Sequence, residues 1–180
     1  MATAHKPGVL VDHHWQRPGL CGPSALKMQL SSIGLTVSDR RIALLAGATS
    51  SEGTEHEGLI QAARHLGVYT YQKRGASLKD IEYFIHEERL PVLVGWFSTT
   101  VDHYAVATNI TKKRILLADP GVPPGPPRRM LRSHFDAVWF DFSGKESRHV
   151  VRRWLMVVSP ERRRFEIEGG RYHLPVRTPK

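Results

Sequence analysis

The spacing of apolar positions divides the chain into a helical first half and a strand-rich second half. Residues 1–20 are rich in His, Pro and Gly and hold no sustained period, which predicts an extended loop. Helical spacing starts at Cys21. In CGPSALKMQLSSIG, Leu26, Leu30 and Ile33 recur at helical intervals, Pro23 sits near the first helical position, and Gly34 closes the segment. A second short helix is predicted from Asp39 to Ala46, with Ser38 as N-cap and Ile42 and Leu45 turned inward. Thr54-Glu55-His56-Glu57 has capping-box spacing, and Leu59, Ile60, Ala63 and Leu66 then make an apolar face that Gly67 ends. Val68 to Gln72 reads as a strand. Ser77-Leu78-Lys79-Asp80 opens a fourth helix, through about Glu88, with Ile81, Phe84 and Ile85 apolar.

After Pro91 the period changes. Val92–Phe97, His103–Asn109 and Arg114–Ala118 are rich in β-branched and aromatic residues and predict consecutive antiparallel strands. DPGVPPGPPRR follows, a stretch whose prolines favour a stiff, irregular loop. Val150–Val158 predicts a further strand. Arg163–Val176 alternates around Gly169-Gly170, which suits a hairpin turn and would pair Ile167 with Tyr172 and Phe165 with Leu174. Helices first and antiparallel strands second indicate an α+β fold. The expected division is a domain over residues 1–158 and a basic extension over 159–180.

Composition narrows the classes. A chain of 180 residues is long enough for its own core. A single cysteine, Cys21, excludes an intrachain disulfide and cysteine-based metal clusters. No apolar run is long enough to span a bilayer and the N-terminus lacks the apolar core of a signal peptide, so the expectation is a cytoplasmic protein. The net charge of +9 is unevenly placed: residues 128–180 carry 13 Lys/Arg and 6 Asp/Glu, against 13 and 11 in residues 1–127. The basicity belongs to the C-terminal part, and a nucleic-acid partner is disfavoured. His13-His14 has no companion ligands at metal spacing, so no metal is expected.

The candidate chemistry starts from Cys21. A thiolate is the competent nucleophile, and a helix N-terminus stabilises negative charge through its free N–H groups. Such a cysteine needs a base, an orienting group behind the base, and donors for an oxyanion. If residues 103–109 and 114–119 form a hairpin with a three- or five-residue loop, paired positions sum to 222 and His103 lies directly opposite Asp119. A two- or four-residue loop would put them on opposite faces. Asp102, next to His103 on the same strand, should point away. Gln16, five residues before Cys21, is a candidate oxyanion donor.

The segments WQRPGLCGPSALKMQLSSIG, GTEHEGLIQAARHLGV, LPVLVGW, DHYAVATNITKKRILLADPG and SHFDAVW resemble the bacteriocin-processing peptidase family, papain-like domains that cut double-glycine leaders from exported peptides. The resemblance covers roughly residues 10–142. It implies a papain-like cysteine peptidase without cofactor in which Cys21 is nucleophile, His103 general base and acid, Asp119 orienter and Gln16 oxyanion donor. The Gln–Cys interval is five residues here, against the six common in the family. The expected substrate is a peptide, with Gly-Gly before the scissile bond, cleaved through a thioester. No Gly-x-x-x-x-Gly-Lys-Ser/Thr loop is present, so any ABC exporter involved would be a separate chain. The rival readings are a papain-like amidase or transferase on a small amide, and a non-catalytic domain that binds a leader peptide or nucleic acid. Gly169-Gly170 reads as a turn rather than a self-processing site.

Overall fold

The four helices expected from apolar spacing form at those places in the computed structural model, which describes residues 6–144 and 149–176. They are α1 (Cys21–Ser31), α2 (Asp39–Ala46), α3 (His56–His65) and α4 (Leu78–His86). The Ser38 side chain caps α2, and Ser77 and Asp80 form a complete capping box on α4. The capping box expected on α3 does not form. Its N-cap is Glu55, because Thr54 packs against Gly22 of α1 and gives its carbonyl to the Tyr104 hydroxyl, 3.0 Å away.

Between and after the helices run β1 (Tyr69–Lys73), β2 (Val92–Ser98), β3 (Val101–Ile110), β4 (Arg114–Ala118), β5 (Arg128–Leu131), α5 (Arg132–Val138), β6 (Phe140–Ser143), β7 (His149–Arg152), β8 (Leu155–Ser159) and β9 (Arg171–His173). Seven strands form one antiparallel sheet in the order β5-β4-β3-β2-β8-β1-β9, and β6 and β7 pair separately. Side chains alternate across the large sheet. Leu93, Tyr104, Val106, Ala118 and Met156 pack with α1 and α3 through Leu26, Leu30, Leu59 and Ile60. Val94, Trp96, Ala105, Ala107 and Leu117 pack with Ile81, Phe84 and Phe135 of α4 and α5. Each of the larger aliphatic and phenyl side chains removed from water contributes about 1.5–3 kcal/mol. One polar group also fixes α1 on the sheet. The fully buried Gln29 donates through Nε2 to the carbonyls of Pro91 (2.9 Å) and Met156 (2.8 Å).

Two expectations fail in the C-terminal part. The run from 150 to 158 is two strands in different sheets, broken at Arg153, which takes φ 52°. Residues 163–176 do not form a hairpin. β9 pairs instead with β1, matching Thr70 with His173 and Tyr71 with Tyr172. The side of β1 away from β8 offered a ladder, and Phe165 gains more by entering the core beside Tyr71 and Phe84 than it would in an exposed ribbon. Gly169 takes φ 77°, and a Cβ on Gly170 would overlap the Tyr71 ring, so the glycines let the chain cross that ring. Residues 1–5 and the last residues of the basic extension, 177–180, lie outside the described residues.

Candidate active site

Cys21 is the first residue of α1, as its sequence spacing predicts, and its thiol is free and partly exposed. Pro18-Gly19 forms the preceding turn, closed by Leu20 N–H donating to the Arg17 carbonyl (3.0 Å). Gly19 is required there: its φ is 75° and a Cβ on it would fall 2.3 Å from the Ser50 carbonyl oxygen. Pro23 has no N–H, and no backbone acceptor among the described residues takes those of Cys21 and Gly22. The helix start therefore offers two donors beside Sγ.

His103 is the third residue of β3 and its Nε2–H donates to Asp119 Oδ1 at 2.6 Å. The two residues meet, but not through the expected register. Near the turn, Ile110 pairs with Ile115 and Asn109 with Leu116, a four-residue connection that by itself would turn Asp119 to the face away from His103. A β-bulge at Thr108 shifts the ladder by one residue, so Ala107 pairs with Leu117 and Val106 with Ala118. Continued one step, that register sets Asp119 opposite Ala105, diagonal to His103 on the same face. The bulge is held from outside the hairpin. The Thr108 carbonyl accepts from Val9 N–H (2.8 Å) of the N-terminal segment.

Burial acts to lower the pKa of His103, but the hydrogen bond to Asp119, the neighbouring Cys21 side chain and the charge of both outweigh it and push it up to about 9. Burial acts to raise that of Asp119. The His103 hydrogen bond and charge, the Gly121 N–H at 2.8 Å and the Arg128 guanidinium together hold it below the usual carboxylate value. Arg128 Nε lies 2.7 Å from Asp119 Oδ2, off the line of a hydrogen bond, and the guanidinium sits 5.6 Å from the centroid of Trp96. Trp96 meets the imidazole of His103 edge-on at 5.9 Å. A cationic imidazole beside a thiol, held by a buried carboxylate, is the charge pattern that supports thiolate attack.

Of the four residues singled out in the sequence, His103 and Asp119 are joined by a hydrogen bond, and Cys21 is close enough to His103 to raise its pKa. Gln16 is brought to the edge of this group. Its N–H donates to the Pro120 carbonyl at 2.9 Å, while its buried Oε1 has no partner and its side chain makes no hydrogen bond to Cys21. Asp102 points elsewhere, as expected; burial raises its pKa, and its near charges are Asp141, His56 and Glu55. His13 lies against Asp119. Its Nε2–H donates to the Asp119 carbonyl at 3.0 Å.

Sequence reasoning missed Arg128 and Gly121, which sit against Asp119 from opposite ends of the proline-rich loop. It also missed a second buried pair, His56 Nε2–H to Asp141 Oδ2 at 2.6 Å, with His56 stacked on Trp154 at 4.0 Å. Nothing in the local sequence marks Arg128 apart from Arg129. Only the register of β5, which sets Arg128 opposite Leu117, decides which one reaches Asp119.

A thiol at a helix start facing a His–Asp pair on antiparallel strands is the arrangement of papain-like cysteine peptidases. The chain belongs to the peptidase C39 family, whose model matches residues 16–143. It is similar to the peptidase domain of Streptococcus ComA, a bi-functional ABC transporter, with a TM-score of 0.62 and 20% identity over 87% of this chain and 100% of that one. A C39-like peptidase of Bacillus anthracis gives a TM-score of 0.64 at 16% identity, covering 84% and 98%. A double-glycine-motif protease from an AMS/PCAT transporter, solved with its leader peptide, gives 0.58 at 14%, covering 89% and 97%. Uncharacterized proteins of Methanothermobacter marburgensis and Methanothermobacter thermautotrophicus are 32% and 30% identical over 102 residues. Those matches take in 57% of this chain and 66% of each relative. No helix among the described residues is long and apolar enough to cross a membrane.

Proposed function

We propose that this protein hydrolyses a peptide bond that follows Gly-Gly, with Cys21, His103 and Asp119 as its catalytic triad. His103, hydrogen-bonded to Asp119 and close enough to Cys21 for the thiol to raise its pKa, is the single observation that carries this reading. Sγ of Cys21 attacks the scissile carbonyl, and the N–H groups of Cys21 and Gly22, with Gln16 from the other side, receive the oxyanion. His103 gives its proton to the leaving amine, so the C–N bond breaks and a thioester remains. Water, deprotonated by His103, then releases the acid and restores the thiol. Asp119 keeps the ring oriented and its cation stabilised. The Gly-Gly preference is supported by family membership and by likeness to a protease of that motif.

The test is alkylation of Cys21 by iodoacetamide across the neutral range. Fast alkylation near pH 6, lost in His103→Ala, is the expected result; a thiol that reacts only above about pH 8.5 would reject the triad. Comparing a Gly-Gly peptide with a small γ-glutamyl amide separates the peptidase from an amidase.

A further inference from the structure

A cationic groove follows β5 away from the catalytic residues. β5 is one edge of the seven-stranded sheet, paired with β4 on one side and open on the other. Two hollows of about 640 and 580 Å3 run along it and share Arg114 and Arg129. The first includes Trp96 and Arg128, the side chains that border the His103–Asp119 pair. The second reaches Lys112 and Lys113 in the β3–β4 turn.

The charge along this groove is one-sided. Lys112, Lys113, Arg114 and Arg129 are exposed and form no ion pair among the described residues. The nearby acids are already engaged: Glu82 with Arg132, Glu87 with Lys6, and Asp119 with Arg128. Like charges crowded on one edge repel each other until a counter-charge arrives. Between them lie apolar side chains that solvent reaches, Leu116 in one hollow and Phe97, Leu131 and Val138 in the other.

We propose that this groove binds an acidic, extended segment of the peptide substrate, laid along β5 so that its scissile end reaches Cys21. The proposal rests on the peptidase reading above. An open strand edge supplies backbone hydrogen bonds to an extended chain, the apolar side chains at Leu116 and Leu131 take some of its alternate residues, and the four cations take its carboxylates. A polynucleotide would meet the same cations but has no use for the strand edge, and the groove ends at Trp96 and Arg128 beside the His103–Asp119 pair.

The test uses the full chain with Cys21→Ala to prevent turnover. It measures the fluorescence anisotropy of two labelled Gly-Gly peptides that differ only in carrying glutamates or lysines upstream. At low salt the acidic peptide should bind at least about tenfold more tightly, and the preference should shrink as salt rises. Arg129→Glu combined with Lys113→Glu should abolish it. Equal binding of both peptides, a preference that survives the charge reversal, or stronger competition by duplex DNA than by unlabelled acidic peptide would overturn the proposal. Alkylation of Cys21 in the wild type and in the charge-reversed protein keeps the two readings apart. An inert Cys21 in both sinks the peptidase reading, whereas a reactive Cys21 without peptide preference sinks the groove alone.

Discussion

His103 is 10% exposed, and its partners raise its pKa from 6.5 to about 9, so its charge is a measurable part of stability. The raised value means that the folded state holds the proton more tightly than the unfolded chain. The resulting stability is fully present below pH 6.5 and is lost as pH rises through about 9. At about 1.4 kcal/mol per pH unit, the span from 6.5 to about 9 amounts to roughly 3 kcal/mol. His103→Gln removes the titration while leaving an amide that can donate to Asp119. Urea unfolding of both proteins at about pH 6 and about pH 9.5 gives the comparison. The stability difference between wild type and variant should fall by roughly 3 kcal/mol from the lower to the higher pH. A difference that stays constant would refute the account, because His103 would then be unperturbed in the fold. Cys21→Ser provides an internal check: without the thiol, one of the two groups that raise His103 is gone, and the alkaline loss should begin at lower pH.

Other perturbations act on the same geometry. Val9→Pro removes the N–H that holds the bulge; a ladder that relaxes to the register near the turn sets Asp119 opposite Val106, so Cys21 alkylation should fall toward the level of His103→Ala while the circular dichroism of the sheet persists. In Gly121→Ala the new Cβ would lie 3.1 Å from Asp119 Oδ1 and from Cε1 and Nε2 of His103. Turnover of a Gly-Gly peptide should drop about tenfold or more with little change in melting temperature, since small displacements of a reacting pair are costly. Arg128→Gln withdraws a cation that helps hold Asp119 below 3.8. Stability from Asp119 is present above that value and is lost as pH falls through the folded pKa, so the acid limb of unfolding should move to higher pH in the variant. Arg128→Lys should restore part of that shift; an acid limb identical in all three proteins would remove Arg128 from the account.

The helix that carries Cys21 was legible because its signals are local: apolar spacing, an early proline and a closing glycine all lie within one segment. The meeting of His103 and Asp119 was legible by residue type and strand, but the expected register was wrong. The real connection is one residue different in parity, and a bulge compensates for it. That bulge depends on a bond from Val9 to Thr108, which no hairpin pattern contains. Arg128 was hidden for a similar reason, behind prolines that conceal where β5 begins. The strand at 150–158 and the double glycine were misread because their periodicity fits a single strand and a hairpin equally well. Packing decided otherwise, sending β7 and β8 to different sheets and drawing Phe165 into the core. The Cys21 helix start thus came from local pattern, and the rest of the site from long-range contacts.

In the proposed reaction Cys21, activated by His103, attacks the carbonyl of the second glycine of a Gly-Gly pair. Incubation with a peptide aldehyde ending in Gly-Gly, followed by intact mass and peptide mapping, tests it most directly. The account predicts one adduct, a hemithioacetal at Cys21, absent in His103→Ala and outcompeted by a Gly-Gly peptide substrate. An unmodified Cys21, or equal labelling with and without His103, would contradict it.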